Sequence, residues 1–435
     1  MMISWLMFYV GDKIDPKQYG GKKKTSITHY LVDLVNFILY NQDLKIPHMV
    51  LACMIDFSKA FNRQNHNLLI TILSDMDVPG WLLKLVIAFL EDRSMILRYK
   101  GASSTSKHLP GGGPQGTILG LFLFLILINA AGFDEPPSNV GEIITKVNNR
   151  RTAIKYTHEK YVDDLTIAEA IKIKAQIKLS EDPNPTLPTP FRLRTGHVLP
   201  PEQSLVHKEV QTLLAYANAH EMQINTRKTK LMLFNPSRTV DIQPEMIIDN
   251  EEIEMLEEMK LLGVVITSDL KWRSNTKYIT ERGYARLWIL KRLKRLGCSV
   301  EDLLDAYIKQ VRCLLEMACP VWHPALTVAD SKAIERVQKS AFSIILGDEY
   351  QSYSSALDDL NLDTLVARRD SLCLKFAVKS SAHPTHSQWF KKTGDAPDTR
   401  NRNLYQPVWT RTNRYKDSPI PFLTQMLNYQ PITNK

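Results

Sequence analysis

An apolar run that stops at a carboxylate constrains this chain more than any other stretch. Residues 49–55 have the length and apolarity of a buried strand, and the run ends abruptly in Asp56-Phe57-Ser58-Lys59-Ala60-Phe61. Asp56 therefore stands at a strand tip. Further on, Tyr161-Val162-Asp163-Asp164 leads into the β-prone run 165–168 and reads as the tight turn of a hairpin. Taken alone, a carboxylate pair on a turn is as readily a solvated turn as a site. If the two strands pair in one sheet, however, Asp56, Asp163 and Asp164 converge. Three carboxylates at one point repel one another unless divalent cations neutralise them, and hard oxygen ligands with room for substrate phosphates favour magnesium. Such a constellation is the one that two-metal phosphoryl transfer uses.

Charge points the same way. The 435-residue chain, long enough for two or three domains, carries 55 Lys and Arg against 46 Asp and Glu. The excess is concentrated: residues 271–300 hold nine basic side chains and one acid, Glu281. That run reads as the footprint of an anionic polymer or as a solvated helix face. Within it Arg282 and Arg286 share one helical face, while Ala285, Ile289, Leu293 and Leu296 mark another. Five cysteines form no C-x-x-C pair, which suits a reducing compartment inside the cell, nuclear or cytoplasmic alike. Cys313, Cys319 and His323 lack a fourth metal ligand at a recognised spacing. The apolar start, 1–10, has no basic leader and no clear cleavage site. The longest apolar run, 118–133, is shorter than the ~20 residues of a spanning helix and contains Asn129, so a buried helix is expected and no membrane partner.

Along the chain, 22–24 are three lysines that either touch phosphate or are solvated, and a helix over 27–40 follows, with Ser26 as its cap. Helices are expected over 66–75 and 81–90, split by Pro79-Gly80, and a strand over 95–99. The loop Pro110-Gly111-Gly112-Gly113-Pro114-Gln115-Gly116-Thr117 lets backbone approach another surface beside the Gln115 amide, or simply connects two elements. Six prolines in 180–203 mark an exposed insertion. A helix over 205–220, a strand over 231–234 and a short β-prone arm over 261–266 come next. Helical segments are expected from 276, over 300–315 and over 328–345. The polar stretch beyond Ala382 is expected to be loosely ordered.

Taken in order, five of these stretches resemble the motifs of the reverse transcriptases of non-LTR, LINE-like retrotransposons. They are 56–61, 113–120, 161–164, Asn225-Thr226-Arg227-Lys228 and Leu261-Leu262-Gly263-Val264, and the resemblance runs from about 18 to about 428. It implies an α+β polymerase right hand: a residual fingers segment (1–48), a palm of antiparallel sheet with helices on one face (49–270), a helical thumb (271–346), and a C-terminal helical region with a loose tail (347–435). The implied activity is RNA-directed DNA polymerisation on an RNA template and DNA primer with deoxynucleoside triphosphates and two Mg²⁺ ions, Mn²⁺ serving as a substitute. No obligate protein partner is implied.

Residue by residue, the resemblance implies that Asp56 and Asp163 ligate both ions, with Asp164 a helper, and that Lys228 protonates the leaving pyrophosphate. Phe57, Phe61, Gln115 and Gly116 would meet the incoming nucleotide, Phe61 as the gate against a ribose 2′-hydroxyl. Leu262, Gly263, Arg282 and Arg286 would meet primer and template. Asn62, Asn65 and Ala130 stand where the family often has aspartate, and only 17 residues precede Gln18. The expectation is therefore a truncated copy whose synthesis is impaired, or a nucleic-acid-binding remnant of the same fold.

Overall fold

A computed structural model describes residues 1–58, 61, 64–109, 111–114, 116–131, 154–172, 204–237, 244–393 and 404–429. Gln115 and the proline-rich stretch 180–203 lie outside the described residues. The described residues form two compact units, one from Met1–Tyr30, His48–Ser138 and Ile154–Leu256, the other from Leu31–Pro47 and Glu257–Lys435. The class is α+β with an antiparallel central sheet, as the sequence suggests.

In the first unit the sheet has four strands. They are β1 (His48–Ile55), β2 (Tyr156–Tyr161), β3 (Asp164–Lys172) and β4 (Lys230–Phe234), in the order β2-β3-β1-β4. Strand β1 is central and buried along nearly its whole length, which is why it reads as a continuous apolar run and not as an alternation. Leu51, Cys53 and Ile55 point to one face, where they join Leu165, Ile167 and Leu231 in a single core.

Two helices, Ile118–Asn129 and Leu205–Ala219, contribute to that core. We number α1 (Met2–Val10), α2 (Ile27–Gln42), α3 (His66–Asp75), α4 (Gly80–Leu90), α5 (Ile118–Asn129) and α6 (Leu205–Ala219). Helix α6 lays Val206, Val210, Leu213 and Ala217, at helical spacing, into the sheet core. Helix α5 is apolar all round because it serves two cores. Phe124, Leu127 and Ile128 face the sheet, whereas Leu119, Phe122, Leu123 and Ile126 close a second cluster with α1, α3 and α4. That double burial, and not a membrane, accounts for its composition, and no described helix is long and apolar enough to cross a membrane. The expected strand over 95–99 is instead broken: Ser94–Met95 pairs with Lys107–His108, and Arg98–Tyr99 folds back on Ala102–Ser103. Lys100 and Gly101, both at positive φ, turn that inner hairpin.

In the second unit the stretch expected as one arm over 261–266 is two. Strands β5 (Glu258–Leu261) and β6 (Val264–Thr267) pair across Leu262 and Gly263. Both turn residues have positive φ, 48° and 88°, and a side chain on Gly263 would collide with the Met317 methyl, 2.5 Å from where its Cβ would lie. The basic segment forms α7 (Arg273–Arg295), followed by α8 (Val328–Leu346), α9 (Leu365–Ser381) and α10 (Pro419–Asn428). Residues 300–316 are helical but interrupted by a π-type stretch, Tyr307–Arg312. His323, considered above as a ligand, accepts from Arg369 Nε at Nδ1 (3.1 Å) and lies 2.8 Å from Asp370 at Nε2.

The described residues of the polar C-terminal stretch, 404–429 among them, are more ordered than expected. Helix α10 buries Ile420, Leu423 and Leu427 at helical spacing, and ahead of it the backbone is fastened to a buried carboxylate. Asp43 accepts from the Arg411 N–H (2.8 Å), the Thr412 N–H (2.7 Å) and the Thr412 hydroxyl (2.6 Å). Hydrogen bonds to a charged group contribute about 1.5–3 kcal/mol each, and losing the acceptor strands the donors. Asp43→Ala should therefore destabilise the second unit by about 2 kcal/mol or more. Limited proteolysis should show new cleavage within 404–418, and an unchanged digestion pattern would contradict the fastening role.

Candidate active site

The register of the sheet brings the acids together. Ile55 is opposite Leu165, so the next residue of β1, Asp56, comes level with Asp164, which itself pairs with Tyr161 across the β2–β3 turn. On the other side Met54 is opposite Lys230, so the chain entering β4 passes Asp56 with Lys228 and Thr229. Asn225 ties the two segments: its N–H donates to the Asp56 carbonyl (2.7 Å) and its side-chain Nδ2 to Asp56 Oδ2 (3.2 Å). Lys228 Nζ stands 3.5 Å from the same carboxylate oxygen, on a side chain 68% exposed and free to swing.

The electrostatics record the convergence. Burial raises the Asp164 pKa to about 6, and the neighbouring charges of Asp163 and Asp56 push it the same way against Lys228. Asp163 is also raised, by burial first and by Asp56. As regards a metal, Asp56 and Asp163 present hard oxygen ligands whose repulsion a divalent cation would relieve. Among the described residues, though, no three His, Cys, Asp or Glu side chains close into a ready cage. That set suits Mg²⁺, which takes one or two carboxylates and leaves the remaining positions to water and substrate phosphates.

A strained turn carries Asp163. Val162 has φ 62°, a conformation that a β-branched residue rarely adopts and that costs about 1–3 kcal/mol. Its surroundings hold it there. Gln18 Oε1 accepts from the Val162 N–H (3.1 Å) and from the Gly20 N–H (3.0 Å). Gly20 is pressed so close that a Cβ on it would lie 2.6 Å from the Val162 nitrogen. Segment 17–20 thus runs beside β2 as an extra rung, with Lys160 N–H donating to Lys17 O (3.0 Å) and Tyr19 N–H to Lys160 O (2.8 Å).

Beneath that rung lies a buried ionic network. Asp15 Oδ2 is 2.7 Å from His158 Nε2 and 3.0 Å from Lys160 Nζ, and Lys17 Nζ is 3.1 Å from Glu159. Although burial pushes Asp15 upward, the His158 hydrogen bond and the Lys160 charge outweigh it and hold the carboxyl well below the usual range. Asn129, at the end of α5, accepts from the Asp15 N–H (2.6 Å) and donates to the Lys13 carbonyl (3.1 Å). Of the three lysines at 22–24, Lys22 turns inward and donates to the Asp15 carbonyl (3.2 Å), while Lys23 and Lys24 are exposed.

The other residues singled out by sequence fall as follows. Phe57 is buried in the sheet core, and Phe61 stacks on Phe124 with ring centroids 4.5 Å apart. The glycine loop is lashed to that segment: Gly113 N–H donates to Phe61 O (2.6 Å), His66 Nε2 meets Gly112 O at 2.8 Å, and Arg93 donates to Gly111 O (3.0 Å). Gly116 is exposed, with φ 83°. In the second unit Leu262 and Gly263 form the β5–β6 turn; Arg282 leans on the Tyr278 ring at 5.3 Å, and Arg286 donates to Gln310 O (2.9 Å). The sequence assigns no role of their own to Asn225, Gln18 or Gly20, although the first opens one of the five motifs.

No protein-family model matches the chain. It is similar to a "Probable RNA-directed DNA polymerase from transposon BS" of Drosophila melanogaster, 21% identical over 353 residues, covering 80% of this chain and 34% of that protein. The chain thus spans about a third of the length of this curated relative. Among solved structures it shows remote likeness to apo telomerase from Candida tropicalis (TM-score 0.41, 11% identity, 89% of this chain and 55% of that one). Telomerase from Candida albicans bound to a fragment of telomeric RNA is similarly remote (TM-score 0.37, 10% identity, 88% and 55%). Motif order and the curated relative both point to likeness with reverse transcriptases.

One consequence of the site is readable without any substrate. With its pKa raised from 3.8 to about 6, folded Asp164 keeps a proton that the unfolded chain has lost, so its contribution to stability falls as pH rises between those values. Buried His158, whose pKa burial lowers, changes stability in the opposite sense as pH rises toward 6.5. The effect is therefore read as a difference. The Tm of Asp164→Asn minus that of the parent should grow by a few degrees as pH is raised through that window without divalent cation. Added Mg²⁺ should shrink it, and a pH-independent difference would contradict the coupling.

Proposed function

We propose that this chain is the polymerase part of a non-LTR retroelement reverse transcriptase, adding deoxynucleotides to a primer 3′-hydroxyl by two-metal phosphoryl transfer. The convergence of Asp56, Asp163 and Asp164 at one end of the sheet, with Lys228 3.5 Å from Asp56, carries the reading. Asp56 and Asp163 would hold Mg²⁺, with Mn²⁺ as substitute and Asp164 beside them. The bound cations would lower the pKa of the attacking hydroxyl and neutralise the triphosphate. Asn225 fixes the Asp56 carboxylate from one side and leaves its outer edge to the substrate. Lys228, long and exposed, is placed to give a proton to the leaving pyrophosphate. Phe61, backed by Phe124, presents a flat wall beside the glycine loop, fit to exclude a ribose 2′-hydroxyl.

In this reading 1–48 is the residual fingers segment, 49–270 the palm, 271–346 the thumb and 347–435 the C-terminal region. RNA template, DNA primer and deoxynucleoside triphosphates are the partners, and all are met inside the cell, in nucleus or cytoplasm. Arg282 would meet duplex phosphates, whereas Arg286 is already engaged by Gln310. A second reading, a nucleic-acid-binding remnant without turnover, is favoured by Asn65 and Ala130, which stand where the resembled family often has aspartate.

Primer extension with Mg²⁺ separates the two. Asp56→Asn and Asp163→Asn should each reduce incorporation at least 10³-fold, roughly the loss expected for removing a group that stabilises developing charge, and Asp164→Asn should reduce it less. Parent-level synthesis by Asp163→Asn would end the metal assignment, and no synthesis by the parent at intact duplex binding would favour the remnant. In a synthesising chain Phe61→Val should raise ribonucleotide relative to deoxynucleotide incorporation by about tenfold or more, since the gate acts by sterics alone. An unchanged ratio removes Phe61 from that role.

A further inference from the structure

Helix α7 has a second functional flank, one that the basic-face argument does not touch. At about 100° per residue, Arg282 and Arg286 fall on one side of its buried line, while Tyr284, Trp288, Lys291 and Arg295 fall on the other. The buried line itself, Ile279, Gly283, Leu287 and Leu290, runs between them. Tyr284 and Trp288 are 44% and 57% exposed, unusual for rings that a globular core could have taken in. They are not scattered. Together with Lys291 they form one wall of a groove of about 590 Å³, whose other wall is Lys339, Ser340 and Ser343 of α8. That volume lies within the range of about 300–1,000 Å³ typical of ligand clefts.

The groove has a definite chemistry. Two exposed aromatic faces, one helical turn apart, are stacking platforms for planar rings. Lysines on both walls supply positive charge, and the outer side of α8 adds exposed Lys332 and Arg336. Lys339, whose ammonium also lies 4.8 Å from the Tyr353 ring centre, stays on the surface. Glu281, the acid of this stretch, is turned toward Lys277 at 4.0 Å. Leu287 and Ile344 also line the groove, but the lysines on both of its walls oppose an apolar helix from a protein partner. A polyanion carrying flat rings meets both features. Ser340 and Ser343 add hydroxyls that can pair with a ribose 2′-hydroxyl, which favours RNA over DNA.

We propose that this groove between α7 and α8 holds an unpaired stretch of RNA, with bases stacked on Trp288 and Tyr284 and phosphates against Lys291 and Lys339. The choice of RNA rests on the polymerase reading above, but the site is separate from the carboxylates and from the Arg282 flank. Duplex does not fit its chemistry, because paired bases have no free faces to stack.

Fluorescence anisotropy with a short labelled oligouridylate, the same-length DNA oligomer and a blunt duplex tests it on the full chain. Trp288→Ala should weaken RNA binding about tenfold or more, while Trp288→Phe should retain most of it. Lys291→Gln should flatten the salt dependence by about 0.7 per lost phosphate contact. Duplex affinity should stay unchanged in all three, and Asp163→Asn should bind the RNA as the parent does even if it makes no DNA. A chain inactive as a polymerase that still shows Trp288-dependent RNA binding would sink the enzyme reading and keep the groove. Unchanged RNA affinity in Trp288→Ala, an equal loss on duplex, DNA bound as tightly as RNA, or self-association through this face in place of RNA binding would each overturn the proposal.

Discussion

Like-charge repulsion at the tip of β1 is the constraint on which the first unit depends. A sheet end could easily satisfy three carboxylates with three basic partners. Here Asp56 has Asn225 and a swinging Lys228, and Asp164 is pushed up to about 6 by burial and its acidic neighbours. The folded state thus retains a local instability that a cation would relieve, the kind of perturbation that clusters at functional sites. Holding such charges together requires rigid backbone beneath them. Strand β1, buried on both faces and flanked by β3 and β4, provides it.

The turn bearing Asp163 needs more than the sheet. Val162 would relax out of its left-handed conformation if its N–H were free, and the Gln18 amide and the glycine backbone at 20 remove that freedom. Segment 17–20 is in turn fixed by the Asp15, His158 and Lys160 network, whose charges are buried and so remain strong. Such a chain of supports holds the strained turn in place. Asp15 is shared by His158 and Lys160, so replacing it disturbs both.

How much of this was legible beforehand follows physical lines. Strand β1, helices α3 and α6, and the three acids were visible because burial periodicity and abrupt polarity changes are local signals. The pairing of segment 17–20 with β2 was not, since a Lys-Gln-Tyr-Gly stretch has no strand pattern; it is placed by contacts 140 residues and more away in sequence, such as Val162 to Gln18. The Leu262-Gly263 turn was hidden inside an apolar run, because Leu262 adopts positive φ where the propensity of its type argues against it. The C-terminal stretch looked disordered by composition, yet one buried acid, Asp43, and the apolar side of α10 order it. Spacing alone could not show that Arg286 also donates to a backbone carbonyl, Gln310 O.

The two units also differ in how they handle charge, and the difference suits a protein that must fix chemistry while nucleic acid moves. Beside β1 the contacts to Asp56 are directional: Asn225 donates to it through its backbone N–H and its side chain. Along α7 most basic side chains are exposed: Lys277 lies near Glu281, Arg282 meets Tyr278, Arg286 donates to Gln310 O, and Lys294 caps the end of α8 by donating to Ile344 O (2.7 Å). Phosphate contacts of that loose kind give affinity without sequence and let a duplex advance one step at a time. Stacking on Trp288 and Tyr284 has the same tolerance, since every base has a face. A grip built from hydrogen bonds as specific as those at Asp56 would bind one register and stall there.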